Sequence, residues 1–432
     1  MFMNKRNALK LTAAGLSYLA MGVAVASAQT KIDFYYPVQV GGAVSKVIDG
    51  YVEKFEAENP GIDVAPIYAG NYNDTTTKAL TAAKAGTPPA VAVLLATDVF
   101  TLFDEDVVDP IDDFVKTEDD KKWIAGFMPA YLKSAQTEGH LWSVPFQRST
   151  AVLYYNKQAF KEAGLDPEKY PTTWQEMVTA GKAVLKKDGA GQVQRWGVGI
   201  PGNVGSAQWL FGALAAENGA LLVNEKGTET TLTDPKVVEA LKFWVDLSKK
   251  DGIHPPGIFE WGTAPADFLA GRVAMIWHTT GNLANIRKNA TFDFGVAPFP
   301  GNPKPASVLG GGNLYIFKEA PQEQKDAAFK FIKFITSDEV LADWAVQTGY
   351  VAPRDGSWGT ETLKKYVANA PQALVALKQI PSSVPEFSTH ENARTTKLLN
   401  DALSSALTGT KTSEQALADA QAEIDKILKA YR

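Results

Sequence analysis

The chain has 432 residues, of which 45% are hydrophobic and 21% charged, and its formal net charge at pH 7 is −5. That length and composition are typical of a globular protein with room for two hydrophobic cores. A net acidic chain without clusters of basic residues is not expected to bind nucleic acid or an anionic membrane surface. Because the chain has no cysteine, disulfide scaffolds, thiolate metal sites and cysteine nucleophiles are excluded.

The first 28 residues are predicted to be a secretory signal peptide. Lys5, Arg6 and Lys10 form a positive segment, an apolar run follows, and Ala26-Ser27-Ala28 supplies the small residues expected before a cleavage site. The apolar run is too short to span a bilayer comfortably. We therefore expect cleavage before Gln29 and a mature protein in the periplasm.

Two strand–helix–strand units are predicted in the first part of the mature chain. Strands are expected at residues 32–36, 62–68 and 90–95, and the helices between them end at turns that contain proline or glycine. Such units place parallel strands side by side with helices across them. Since ligands bind at the carboxyl ends of strands in open α/β sheets, the loops at 37–42, 69–72 and 96–98 are expected to face a binding site.

Residues 144–157 are predicted to form a strand that is shared by two globular units. The stretch begins with a polar segment containing Pro145 and continues with β-branched and aromatic residues, and α/β patterns stand before and after it. A few residues in such a strand can act as a hinge, and residues 147–150 would then lie at the floor of a cleft. An ordinary strand with a polar edge is the alternative.

Beyond this hinge, the pattern predicts a second α/β unit and a largely helical C-terminal part. Further crossings between the units are expected at residues 278–281 and 318–322, where polar residues follow an apolar strand. The predicted fold class is therefore α/β with two lobes. Lobe 1 would contain residues 29–147 and 282–318, and lobe 2 would contain residues 148–281 and 319–432.

Short segments spread along the chain carry a family resemblance through their common order. They include Gly70-Asn71-Tyr72, Pro145-Phe146, Thr173-Trp174-Gln175, Thr348-Gly349-Tyr350 and Gln415-Ala416-Leu417. In this order the chain resembles the extracellular solute-binding proteins of ABC importers, the group that includes maltose-binding protein, and within it the members that bind glycerol 3-phosphate. The resemblance covers nearly the whole mature chain and implies the periplasmic-binding-protein fold, with two lobes joined by a hinge that the chain crosses several times.

The resemblance also implies which residues contact a ligand. Five positions match the pocket of the family: Tyr72, Ser149, Thr279, Gly311 and Tyr350. Thr279 stands where the family has a serine, so a hydroxyl is retained. A pocket glutamate of the family falls at Ala96, and Asp98 is the nearby carboxylate that would replace it.

Three further residues complete the expected site. Trp209 is expected to stack on a sugar or polyol at the wall of the cleft. The family has a pair of pocket tryptophans, and the resemblance implies that they are not both present here. Arg394 lies within a couple of residues of the arginine that contacts phosphate in the family. Arg148 is an additional cation beside the hinge, and guanidinium groups match phosphate geometry.

The expected function is capture of a small polar solute and its delivery to the transmembrane subunits of an ABC permease. Glycerol 3-phosphate or a related phosphodiester is the favoured ligand, and a sugar or oligosaccharide is the alternative. A secreted carbohydrate-active enzyme and a binding protein that reports to a sensor are the other classes considered. Four scattered histidines and a GxGxxG at residues 197–202 interrupted by Pro201 do not predict catalysis or a dinucleotide. We expect a monomer with no catalytic residues, metal or cofactor.

Overall fold

The structure, a computed structural model, describes residues 29–37, 44–203 and 205–432. The predicted signal peptide and most of the loop at 37–42 lie outside the described residues. No helix within the described ranges is long and apolar enough to cross a membrane.

Thirteen strands are present in the described part of the chain, and most follow stretches rich in β-branched and aromatic residues. They are β1 (Thr30–Tyr36), β2 (Ile62–Tyr68), β3 (Val91–Leu95), β4 (Val108–Asp109), β5 (Gln136–Thr137), β6 (His140–Leu141), β7 (Val144–Asn156), β8 (Lys186–Lys187), β9 (Val193–Gly199), β10 (Val273–Thr279), β11 (Phe294–Ala297), β12 (Ser307–Phe317) and β13 (Ser383–Val384).

Eighteen α-helices occur in the same ranges, and several begin at a side-chain cap that accepts a hydrogen bond from the first turn. They are α1 (Val44–Glu58), α2 (Tyr72–Lys84), α3 (Val99–Asp104), α4 (Glu118–Ala125), α5 (Pro129–Lys133), α6 (Lys157–Glu162), α7 (Trp174–Val184), α8 (Ala207–Glu217), α9 (Pro235–Lys249), α10 (Ala264–Leu269), α11 (Leu283–Asn289), α12 (Gln322–Ile335), α13 (Asp338–Thr348), α14 (Asp355–Trp358), α15 (Glu361–Asn369), α16 (Leu374–Gln379), α17 (Asn392–Thr408) and α18 (Ser413–Leu428). A capping box formed by Thr412 and Gln415 opens α18.

Two long strands, β7 and β12, connect the sheets of both lobes. The strand order is β2-β1-β3-β12-β7-β10-β9-β8, in which β1 is parallel to β2 and β3 while β12 is antiparallel to β3 and β7. The first half of β7 pairs with β12 from Leu309 to Leu314, and its second half pairs with β10 and β11. The hydrogen-bonded path is thus continuous through the hinge because the same strands belong to both sheets.

The hydrophobic residues nevertheless form two separate main cores, one on each side of the hinge. The first core contains Val144 and Phe146 at the start of β7, and the second contains Ala151 and Leu153 further along the same strand. Every residue of β7 is buried. The chain therefore passes from one core to the other within residues 147–151.

The predicted lobe boundaries beyond β10 are wrong. Residues 278–281 are not a crossing, because β10 stays between β7 and β9 in the second lobe. The return crossing lies inside β12, since Val308 belongs to the second core and Leu314 to the first.

The helices that follow β12 also lie in the other lobe from the one predicted. The buried faces of α12, α13 and α15 join the first core, so residues 318–322 are not a crossing and the segment up to Ala370 belongs to lobe 1. The chain crosses for the third time within residues 371–386, and α17 and α18 then join the second core. The apolar face of a helix shows that it is buried, but not against which core.

Candidate functional site

A cavity of about 540 Å³ lies between the two lobes, next to the hinge strands. The first lobe contributes residues at the start of α2 and after β3, and the second contributes α8, the start of α17 and the loop that contains Trp261. Its volume is within the range of small-molecule binding sites. We call this cavity the cleft.

The floor of the cleft is formed by the two strands that cross between the lobes. Ser149 of β7 and Gly311 of β12 line the cleft. Gln147, two residues before Ser149 on the same face of the strand, accepts a hydrogen bond from the Tyr72 hydroxyl at 3.0 Å. The hinge is therefore joined directly to the first turn of α2.

Two tryptophans form an aromatic wall on the second-lobe side. The rings of Trp209 and Trp261 meet at 72° with their centroids 5.8 Å apart. The Trp209 indole N–H donates to the Leu309 carbonyl at 3.2 Å, and the absence of a side chain at Gly310 leaves space for the indole against β12. Trp261 stacks on His278 with centroids 3.7 Å apart. Both indoles are thus held in place and are suited to packing against a sugar or polyol.

Two carboxyl groups line the cleft, Asp98 after β3 and Glu386 on the irregular segment before α17. Burial raises the pKa of Asp98 to about 6, although hydrogen bonds from Thr76 and Asn392 partly oppose that shift. Burial likewise raises the pKa of Glu386 to about 8, against the attraction of the nearby Arg148 charge. Glu386 is therefore mostly protonated at neutral pH and can donate as well as accept a hydrogen bond.

The two arginines that the sequence suggested do not line the cleft. Arg394 is 63% exposed on the outer face of α17, where its guanidinium lies 3.5 Å from the Glu391 carboxylate. Arg148 is buried, but the alternation of β7 points it to the opposite side of the strand from Ser149. Of the described residues that line the cleft, Lys397 is the single cation, and it is paired with Asp401 at 2.6 Å.

Thr279 and Tyr350 also line the cleft. The Thr279 hydroxyl accepts a hydrogen bond from the Gly281 amide at 3.1 Å. The Tyr350 ring stacks on Trp344, with centroids 5.7 Å apart, and burial raises its pKa to about 12. Both hydroxyl-bearing side chains are thus positioned by their own lobe before any ligand contact.

The lobes touch each other at one side of the cleft. The Ser388 hydroxyl donates to the Thr97 carbonyl at 2.8 Å, and the His390 Nδ1 lies 2.8 Å from the Asp104 carboxylate. The Asn392 amide also reaches Asp98 at 3.4 Å. These contacts join the segment after β3 to the start of α17, so the cleft is bridged by protein groups from both lobes.

The structure thus brings seven of the nine suggested residues to the cleft: Tyr72, Asp98, Ser149, Trp209, Thr279, Gly311 and Tyr350. The lining residues that sequence reasoning missed include Trp261, Glu386, Asn392, Thr396 and Asn400. The last three recur every four residues on one face of α17, a helical period that was available in the sequence. No cluster of potential metal ligands occurs among the residues that the structure describes.

The chain is similar in sequence to a family of known proteins. Residues 50–371 match the family model described as bacterial extracellular solute-binding protein. The chain is 30% identical over 435 residues to the sn-glycerol-3-phosphate-binding periplasmic protein UgpB of Escherichia coli O6:K15:H31 (strain 536 / UPEC), with 96% of this chain and 97% of that protein covered.

Solved structures with the same architecture bind different solutes. UgpB from Mycobacterium tuberculosis in complex with glycerophosphocholine is 26% identical and superimposes with a TM-score of 0.82 over 93% of this chain and 99% of that one. A solute-binding protein from Thermotoga lettingae bound with α-D-tagatose is 24% identical, with a TM-score of 0.81 over 93% and 100% of the two chains. At 24% identity, the similarity to the Thermotoga lettingae protein supports the fold alone.

Proposed function

Because the chain belongs to the bacterial extracellular solute-binding proteins, the solute-capturing components of ABC importers, we propose that its cleft binds a glycerol phosphodiester or a closely related polyol phosphate. The observation that carries this is similarity over almost the full chain to proteins named for binding glycerol 3-phosphate. Tyr72, Ser149, Gly311 and Tyr350 would contact the ligand, with Asp98 and Glu386 as partners for its hydroxyl groups.

The aromatic wall and the two carboxyl groups favour a solute with a cationic or hydroxylated substituent. Indole faces attract quaternary ammonium groups as well as sugar rings, and carboxyl oxygens accept hydrogen bonds from hydroxyl groups. A neutral sugar is the second candidate. It is favoured by the positions of Arg148 and Arg394, neither of which lines the cleft.

The proposed mechanism is a shift between open and closed arrangements of the lobes. A ligand that contacts both lobes binds the closed arrangement more tightly, and this difference in affinity is what moves the equilibrium. The chain crosses the hinge three times, so bending at β7, at β12 and within 371–386 would bring the lobes together as rigid bodies. The transmembrane subunits of a permease would receive the closed form, and the ligand would leave chemically unchanged.

The test is a ligand screen on the mature chain beginning at Gln29. We expect glycerophosphocholine or glycerol 3-phosphate to raise the unfolding free energy, by about 2.7 kcal/mol at a hundred times Kd. Small-angle scattering should then record a smaller radius of gyration, and NMR of the recovered ligand should show no conversion. Stabilisation by glucose or maltose alone would select the neutral-sugar candidate, and turnover of any ligand would contradict a pure binding role.

Trp261→Ala should weaken binding of the identified ligand by about 1–3 kcal/mol, because it removes one face of the aromatic wall. Titration calorimetry measures the change. Trp142→Ala is the matched control, since Trp142 is also partly buried but lies outside the cleft. Equal losses of affinity in both variants would show that the effect is general destabilisation and not loss of a ligand contact.

A further inference from the structure

A second cavity, of about 230 Å³, lies on the far side of β7 from the cleft. We call it the rear chamber; Lys133, Ser134, Arg148, Leu309 and Val384 line it. Thr97, Glu386 and Phe387 line both this chamber and the cleft. At these three residues the two spaces are separated by side chains alone, whereas elsewhere β7 lies between them.

Arg148 is an uncompensated charge in this chamber. It is 1% exposed. Its Nη1 donates to the Gly311 carbonyl at 3.1 Å and to the Asn313 side-chain oxygen at 3.0 Å, and its Nη2 donates to the Ser134 hydroxyl at 3.3 Å. All of these acceptors are neutral, and a buried charge with only neutral partners is costly.

Among the described residues that line the chamber, Arg148 and Glu386 each have one buried polar atom without a hydrogen-bond partner, namely Nε and Oε2. Lys133 also lines the chamber but has a charged partner, because it is ion-paired with Glu225 at 2.5 Å. Glu386 does not neutralise Arg148 at neutral pH, since burial raises its pKa to about 8. One guanidinium nitrogen and one carboxyl oxygen of residues that line the chamber are thus without a hydrogen-bond partner.

We propose that the rear chamber binds an oxyanion group of the transported solute, with Arg148 as its cationic partner and Glu386 as the side chain that separates the anion from the cleft. This rests on the proposed function and deepens it. The hydroxylated part of the solute would occupy the cleft beside Trp209, and its phosphate or carboxylate would lie behind Glu386. A solute with an anionic group would then bind although the cleft itself holds only Lys397 as a cation.

Arg148→Gln tests this, with titration calorimetry against glycerophosphocholine, glycerol 3-phosphate, glucuronate and the neutral probes glycerol and glucose. Loss of a charge-assisted hydrogen bond corresponds to about a 10- to 100-fold weaker affinity for the oxyanion-bearing probes. The affinity for the neutral probes should stay within about twofold of the wild-type value, because these probes make no charge-assisted hydrogen bond that the substitution could remove. The three anionic probes distinguish a phosphodiester, a phosphate monoester and a sugar acid.

Lys133→Gln is the matched control, because it removes a cation at the edge of the same chamber that already has a carboxylate partner. It should leave all affinities nearly unchanged. Equal weakening of anionic and neutral probes by Arg148→Gln would assign Arg148 a structural role and overturn the proposal. Unchanged affinity for the anionic probes would overturn it as well.

A second measurement on the unaltered protein covers the case in which Arg148→Gln does not fold. Affinity for glycerophosphocholine should fall as pH rises through about 8, because ionised Glu386 repels the phosphodiester, and Glu386→Gln should abolish that dependence. Asp98, Lys133, Arg148 and Glu225 are the other charged groups near this space. An affinity that does not change with pH contradicts the proposal. Binding of neutral sugars alone also contradicts the proposed oxyanion site, but it remains consistent with a solute-binding function. Failure to bind any probe contradicts both.

Discussion

Replacing Glu386 by glutamine is expected to stabilise the ligand-free protein at pH 9 by about 2–4 kcal/mol and to leave it nearly unchanged at pH 5. Burial raises the pKa of this carboxyl from 4.5 to about 8. A raised pKa means that the folded state holds the proton more tightly than the unfolded state. The wild-type protein therefore loses stability as pH rises from about 4.5 through about 8, and glutamine, which cannot ionise, avoids that loss.

The size of this effect follows from the shift, reduced for partial contact with solvent. A shift of one pKa unit corresponds to about 1.4 kcal/mol, and Glu386 is partly open to the cleft, which lowers the expected value. Urea unfolding of both proteins at pH 5, 7 and 9 measures it. Glu229→Gln is the control, because Glu229 is exposed. The same difference between wild type and Glu386→Gln at all three pH values would contradict the raised pKa.

Gly311→Ala is expected to destabilise the protein by about 3–5 kcal/mol. Gly311 has φ +102°, and an added Cβ would lie 1.8 Å from the Gln147 carbonyl oxygen of the neighbouring hinge strand. Backbone strain and overpacking each cost about 1–3 kcal/mol. Relief of the clash would force β7 and β12 apart at the point where both strands cross between the lobes.

Gly257→Ala provides the matched comparison. Gly257 also has a positive φ, +75°, but an added Cβ would meet no atom within 4 Å, so this variant carries the backbone cost alone, about 1 kcal/mol. Denaturant unfolding of both variants separates the two contributions. Similar losses of stability would show that the hinge strands can adjust, and the close approach at Gly311 would then have no special consequence.

The structure of the hinge strand was only partly predictable from the sequence. The run of residues from Val144 onwards predicted a strand shared by two units, and its two halves do pair with different partners. The prediction that residues 147–150 all face the cleft was wrong for Arg148 and Thr150, neither of which lines the cleft. Side chains of a strand alternate between its faces, so Gln147 and Ser149 could not share a side with the residue between them.

The site residues that were not predicted are of two kinds. Some lie in segments without a periodic pattern, and the others lie on one face of a helix and recur with the helical period. Trp261 and Glu386 lie in irregular segments, where only tertiary contacts decide which way a side chain points. Asn392, Thr396 and Asn400 share one face of α17, and Arg394, two residues after the first of them, falls on the opposite face. Helical geometry alone therefore predicts that Arg394 points away.

The division of the two cores along the chain has a consequence for synthesis. The first core needs α12, α13 and α15 in addition to the N-terminal elements, and the second needs α17 and α18. A nascent chain that has emerged only through β11 can complete neither core, so the usual order in which an N-terminal unit folds first is not open to it. A fragment that ends with β11 is therefore expected to remain unfolded, although it contains more than half of the chain.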